Sequence, residues 1–500
     1  MNNKTFFFEY LIIFNLLCFY FINSEVIFVY EHCRHGARGP LIKFMSKLLD
    51  NKTIFYDEFN IPWFIDDEDL TIKGKMQHYI LGIRNRYKYS KLLNFAKYNP
   101  NELLIHSTNY RRSNQSIYYQ LLGMFNPIIS QSKYNYNNYM EKKISQFYYP
   151  PNYFIWKKTL NNNNINKNII KEAEISIGLL LENNNNTNIF LDNNKKKNDF
   201  VYEQFLENRT FYVKNKCKNY KKYMEYNYNE KYKELIIENF EKKYNGKLSE
   251  YFGYKKEDLY PIQNSISKVD NYIVNYHEER NMEYFFNFTK IDKDEFYETC
   301  IKIYKWWLYN ISCDKIIGSI ESSKLMEDLI EYMDNKINEK NEIKMVIDFA
   351  HDVTVGSIEI LMHQAFNVDY EVCEFACNIF FELHKINGKN EKNEFFVEYY
   401  IDDDLKLNIS YGLFKNKILE LIWTDKEKDD FCLGNILLIL YPNFFLFLIF
   451  LFIIIFIGLC VLFVNKCCLS TKKKSIENIH KGHIKENNEN DKEMDLINNN

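Results

Sequence analysis

The stretch VIFVYEHCRHGARGP, Val26 to Pro40, joins two kinds of sequence. Val26 to Tyr30 is an unbroken β-branched and aromatic run, the pattern of a strand buried on both faces. Gly36, Gly39 and Pro40 then turn the chain into a loop. Between them, Arg34 to Arg38 set an imidazole between two guanidiniums. Ligands of α/β sheets bind at the carboxyl ends of strands. There, such a loop suits a dianionic phosphate, because Arg presents forked donors at fixed charge and Gly36 permits close backbone approach.

Working outward, Lys344 to Ala350 (KMVIDFA) has the same buried-strand character and delivers His351-Asp352 to a loop ahead of a helical pattern, Thr354 to Phe366. Leu103 to Ser107 (LLIHS) is a third strand, followed by STNYRRSNQS, Ser107 to Ser116, and a helix over Ser116 to Phe125. Thr71 is a suitable N-cap for a helix over Ile72 to Arg86. Phe395 to Tyr400 (FFVEYY) reads as a late strand. The expected fold is α/β: a mainly parallel central sheet flanked by helices, with an inserted, largely helical cap. The core is discontinuous, residues 25–129 and 341–434. The Tyr-, Lys- and Asn-rich residues 130–340 form the cap and carry disordered Asn-rich loops. If the strands run parallel, three loops converge on one anion.

The signature R-H-G-x-R-x-P at Arg34 to Pro40, the pair His351-Asp352, and the element Ser107, Thr108, Arg112, Ser113, Ser116 occur in one order. With Leu70-Thr71, Gly74, Gln77, Leu81-Gly82 and the Cys373/Cys377 region, they resemble the histidine acid phosphatase family. That family lies in the branch of the histidine phosphatase superfamily that holds lysosomal and prostatic acid phosphatases and phytases. The resemblance implies that His35 is a nucleophile forming a phosphohistidine, that Arg34, Arg38, Arg112 and His351 hold the phosphate, and that Asp352 is the proton donor. It implies no metal or other cofactor. An acid optimum is expected from a need for protonated Asp352. Two departures are Arg111 in place of a common Asp and Ser113 in place of Thr; Asn114, two residues after Arg112, begins a glycosylation sequon. His106 and Arg111 are read as neighbours, His32 as a packed residue, and Asp348, inside its strand, as the less suitable acid. The implied activity is acid phosphatase, a phosphoric monoester hydrolase. The alternatives are a selective inositol-phosphate or lysophospholipid phosphatase on the same fold, or a catalytically silent surface-binding protein.

Composition bounds the rest. With 64 Lys+Arg against 67 Asp+Glu and a net charge of −3, nucleic acid is not an expected partner. Residues 1–24 read as a signal peptide. Phe444 to Val464 lacks any charge, and as a helix would be about 31 Å long, so 436–464 are expected to be a transmembrane segment. The Lys-rich residues 465–500 would then be a cytosolic tail. That predicts a single-pass type I membrane protein facing a lysosomal or other endomembrane lumen, or the cell surface. Sequons at Asn51, Asn114, Asn185, Asn208, Asn287, Asn310 and Asn408 fit that placement. Partners are a phosphomonoester and a membrane, with a homodimer allowed for. Cys33 belongs inside a strand; Cys217, Cys300, Cys313, Cys373, Cys377 and Cys432 allow up to three disulfides, of which only Cys373/Cys377 is assignable.

Overall fold

The computed structural model describes residues 24–41, 45–49, 52–63, 69–125, 217–253, 262–386, 394–434, 449–462 and 464. Residues 1–23 of the expected signal peptide, the Asn-rich loops and the 465–500 tail lie outside the described residues.

Its centre is β1, Ser24–Arg34, buried at every residue from Phe28 onward. The other strands are β2 (Met45–Leu49), β3 (Lys52–Tyr56), β4 (Pro62–Trp63), β5 (Leu103–Ser107), β6 (Met345–Ala350), β7 (Asn378–Ile386), β8 (Glu394–Ile401) and β9 (Asp404–Ser410). Six form one sheet in the order β5-β6-β1-β7-β8-β9; β2, β3 and β4 form a small antiparallel sheet that the sequence did not suggest. Alternate residues of the central strands serve opposite layers. Phe28, Tyr30, Val346, Ile379 and Phe381 pack with helices Lys315–Ile337 and Asp352–Phe366, and Val29, Cys33, Ile105, Ile347 and Phe380 pack against helix Arg111–Phe125 and Tyr89.

The expected mainly parallel sheet is corrected to a mixed one. β5, β6 and β1 run parallel, whereas β7, β8 and β9 are antiparallel. For β8 and β9 the reason is connection length, since a parallel crossover needs about a dozen residues or more. Between β8 and β9 only Asp402-Asp403 intervene, both with positive φ (48° and 68°), the geometry of a primed hairpin turn.

Helices within 217–312 build a separate apolar cluster around Tyr232, Phe240, Tyr244, Tyr272, Phe285 and Phe296. The high tyrosine and phenylalanine content of this region is therefore core material. Disulfide Cys217–Cys432 ties its start to helix Asp425–Leu433, and Cys373–Cys377 closes a short loop before β7, while Cys33, Cys300 and Cys313 are buried thiols.

The expected membrane span is also corrected. Among the described residues no helix is long and apolar enough to cross a membrane. Residues 449–462 of the expected 436–464 span are helical, apolar and exposed, and 436–448 lie outside the described residues. The single-pass type I placement, lysosomal or at the surface, falls with that span. Residues 435–500 form a unit distinct from 1–434.

Candidate active site

Because β5, β6 and β1 are parallel and in register, Ser107 lies beside Phe349 and Arg34 beside Ala350. The loops after them leave the sheet at one edge. β7 is antiparallel, so its entry loop, carrying Phe375, reaches that edge too. The RHGARGP loop is sewn to the start of helix Ile72–Lys88. The Ala37 amide donates to Gln77 Oε1 at 2.9 Å, the Thr71 amide and hydroxyl donate to the Ala37 carbonyl, and Thr71 caps the helix through the Gly74 amide. A Cβ on Gly36 would sit only 2.5 Å from the Gly74 carbonyl oxygen, so glycine is required for this approach.

His35, Arg38, Arg112, His351 and Asp352 line one cavity of about 200 Å³, with Tyr110, Asp270, Tyr304 and Trp307. Arg34 lies alongside. Its Nη1 donates to the Cys373 carbonyl (2.5 Å), its Nη2 donates to Asp352 Oδ2 (2.8 Å), and its guanidinium stacks over Phe375 at 4.5 Å. Arg38 grips Asp270 through both carboxylate oxygens, at 2.9 and 3.2 Å. Arg112 donates to His351 Nδ1 at 3.2 Å and covers the Tyr110 ring.

Neighbours fix both imidazole tautomers. His35 Nδ1 lies 2.9 Å from the Gly36 carbonyl, which only accepts, so Nδ1 carries the proton and Nε2 holds a lone pair. His351 accepts at Nδ1 from Arg112 and so donates from Nε2 to the Thr108 hydroxyl (3.0 Å), which donates onward to Ser113 (2.8 Å). Burial, reinforced by the charges of Arg112, Arg38 and Arg34, pushes both histidines well below their usual pKa. Burial by itself would raise Asp352, but Arg34, a hydrogen bond from Tyr304 and the nearby His351 outweigh it and hold this carboxyl at about 2. The Asp352 carboxylate also accepts from the Val353 amide at the first turn of helix Asp352–Phe366, where the helix dipole favours negative charge.

Residues 25–402 match the Histidine phosphatase superfamily (branch 2). The chain belongs to that family. No curated protein sequence matches it. Among solved structures it is similar to a phytase from Citrobacter braakii, at 11% identity over 80% of this chain and 98% of that one, with a TM-score of 0.44. A Hafnia alvei phytase in complex with myo-inositol hexakis sulphate aligns at 9% identity over 80% and 98%, TM-score 0.44. A Bifidobacterium longum multiple inositol polyphosphate phosphatase in complex with inositol hexasulfate aligns at 12% over 77% and 87%, TM-score 0.41.

In this branch 2 protein, all six residues singled out from sequence meet at one sheet edge: five line the cavity and Arg34 is bonded to Asp352 beside it. Arg111 instead turns outward to Asp69 with its side chain 63% exposed. Asp348 is fully buried below the cavity, 2.7 Å from His106, 2.8 Å from Tyr30 and 3.3 Å from His32. Three residues of the site carried no sequence signal. Tyr304 is one of 40 tyrosines, Asp270 is a single acid in a motif-free segment, and Phe375 matters only because its ring lies under Arg34.

Proposed function

We propose that this chain hydrolyses phosphate monoesters through a phosphohistidine on His35. The observation that carries the reading is the His35 tautomer: an uncharged ring with its Nε2 lone pair in a cavity walled by Arg38, Arg112 and His351. Nε2 attacks phosphorus and the ester P–O bond breaks. The guanidiniums of Arg34, Arg38 and Arg112 neutralise the non-bridging oxygens, so alignment and charge supply most of the catalysis. Asp352 delivers a proton to the leaving oxygen, and the carboxylate then takes one from the water that cleaves the P–N bond.

The source of that first proton differs from the sequence-based expectation. At about 2, Asp352 is ionised in the ligand-free site at any ordinary pH. The proton therefore arrives on the substrate monoanion, whose second pKa is about 6. It passes to Asp352 once phosphate draws Arg34 away and places negative charge beside the carboxylate. An acid optimum survives, with its alkaline limb set by the ester.

Inositol phosphates, the class in the name of the similar Bifidobacterium longum multiple inositol polyphosphate phosphatase, are the first narrower substrates to test. A second reading, an ester with an apolar leaving group such as a lysophospholipid, is favoured by Leu41, Ile266, Trp307 and Val353 in the described wall. The test is hydrolysis of p-nitrophenyl phosphate, inositol hexakisphosphate and lysophosphatidic acid by the wild type and His35→Ala, with trapping of acid-labile phosphoenzyme. Equal rates in the two proteins would refute the hydrolase reading; the preferred ester decides between the narrower ones.

A further inference from the structure

We propose that Glu382, His384 and Glu398 form a binding site for one divalent transition-metal ion of the zinc class, separate from the phosphate cavity. Glu382 and His384 are two apart on β7 and so project from the same face. Glu398 on β8 is the direct cross-strand partner of Glu382. All three are buried, with His384 only 7% exposed. Two carboxylates facing each other across a strand pair repel, and a cation between them relieves this.

The distances suit a metal. His384 Nε2 lies 3.3 Å from Glu382 Oε2 and 3.1 Å from Glu398 Oε2, and the three ligand atoms all fall within 4.8 Å of one another. Nitrogen and oxygen ligands about 2.0–2.1 Å from a tetrahedral zinc stand about 3.3 Å apart. The competing occupant is a proton shared between His384 and the carboxylates. Against it, both ring nitrogens of His384 are buried and neither is well aligned for a hydrogen bond, although two carboxylate oxygens are in range. A ring N–H needs a nearly linear acceptor, whereas an ion collects lone pairs from several directions. Phe396 stacks on the imidazole, with ring centroids 4.8 Å apart, and fixes its plane.

Surrounding donors support ionised ligands. Lys88 Nζ and the Tyr89 hydroxyl each donate to Glu382 Oε1 at 2.7 Å, leaving Oε2 turned toward His384. Asn408 donates to Glu398 Oε1 at 2.8 Å, and the Tyr400 hydroxyl donates to Glu398 Oε2. Hydrogen bonds to the outer oxygens, here from Lys88, Tyr89 and Asn408, commonly orient carboxylate ligands, and Glu398 Oε2 keeps a second lone pair beside the one Tyr400 uses. None of these residues lines the phosphate cavity.

The experiment titrates the chelator-treated full chain with Co²⁺ as a spectroscopic substitute for Zn²⁺. The expected result is one Co²⁺ per chain, visible d–d absorption without a thiolate charge-transfer band, displacement by Zn²⁺, and at least tenfold weaker binding in His384→Asn and Glu398→Gln. Both variants should retain monoester hydrolysis. Absence of stoichiometric binding, a thiolate band, or undiminished binding in active His384→Asn would overturn the proposal. If the variants do not fold, X-ray absorption of the zinc-loaded wild type decides: one imidazole with oxygen donors supports the site, and sulfur or several imidazoles overturn it.

Discussion

Replacing Asp352 by Asn separates the two proton transfers assigned to it. The amide keeps the size of the carboxyl, retains an acceptor for the Val353 amide, and cannot exchange a proton with the leaving group or water. Loss of general acid–base catalysis costs about 10²–10⁴ in rate, or ~3–5 kcal/mol of barrier. The same change removes a negative charge 2.8 Å from Arg34. A carboxylate about 5 Å from bound phosphate opposes it by ~3 kcal/mol at an effective dielectric near 20. Inorganic phosphate should therefore inhibit Asp352→Asn more strongly than the wild type, while kcat falls. The assay is rapid-quench hydrolysis with two esters. For a simple alkyl phosphate, whose leaving group needs the proton, phosphoenzyme formation itself slows by about 10²–10⁴. For 2,4-dinitrophenyl phosphate, whose leaving group does not, the first step proceeds and release of phosphate from His35 becomes limiting, giving a burst near one equivalent. A uniform rate loss for both esters, with no burst and no tighter phosphate inhibition, would refute the assignment.

Tyr304→Phe keeps the ring and removes the hydroxyl that donates to Asp352. A hydrogen bond to a charged group contributes about 1.5–3 kcal/mol, so the Asp352 pKa should rise from about 2 by about 1–2 units. Because that pKa is depressed in the folded state, the stabilisation is present above the unfolded value of about 4 and is lost as pH falls toward 2. Urea unfolding should show the variant less stable at pH 7, with the gap closing through that window; a constant gap would contradict the coupling. Asp270→Asn frees Arg38 from its carboxylate, and tighter inhibition by inorganic phosphate is expected, with an unchanged inhibition constant counting against the role. The disulfides should differ in what they support. In the chain-entropy account, removing Cys217–Cys432, with a separation of 215 residues, costs up to about 5 kcal/mol, against ~2 kcal/mol for Cys373–Cys377, with a separation of 4. Cys373→Ser should nevertheless lower activity more, because the Cys373 carbonyl holds Arg34; denaturation midpoints and kcat/KM for both deletions test the reversal.

Much of the candidate site could be read from linear order because its parts follow strands. Hydrophobic runs ending at Tyr30, Ser107 and Ala350 announced buried strands, and polar residues just beyond such runs must leave the sheet together once the strands are parallel. Helix starts were equally local, since Thr71 supplies its cap from its own side chain. The direction of β7 to β9 was not legible from apolar runs, which are the same in either orientation; the two-residue Asp402-Asp403 turn sets β9 against β8, and the antiparallel pairing of β7 with β1 is visible only in the folded sheet.

The amino-acid order by itself determined that His35, three guanidiniums and the His351-Asp352 pair lie at strand ends or within the loops or first helical turn just beyond them. Only the tertiary structure decided the protonation of those groups. The His35 tautomer depends on the Gly36 carbonyl pointing at Nδ1, and the ionisation of Asp352 depends on Arg34, 318 positions away, and Tyr304, 48 away. Covalent order places a side chain along the chain, but its proton affinity is set by the charges and dipoles that packing brings within a few ångströms.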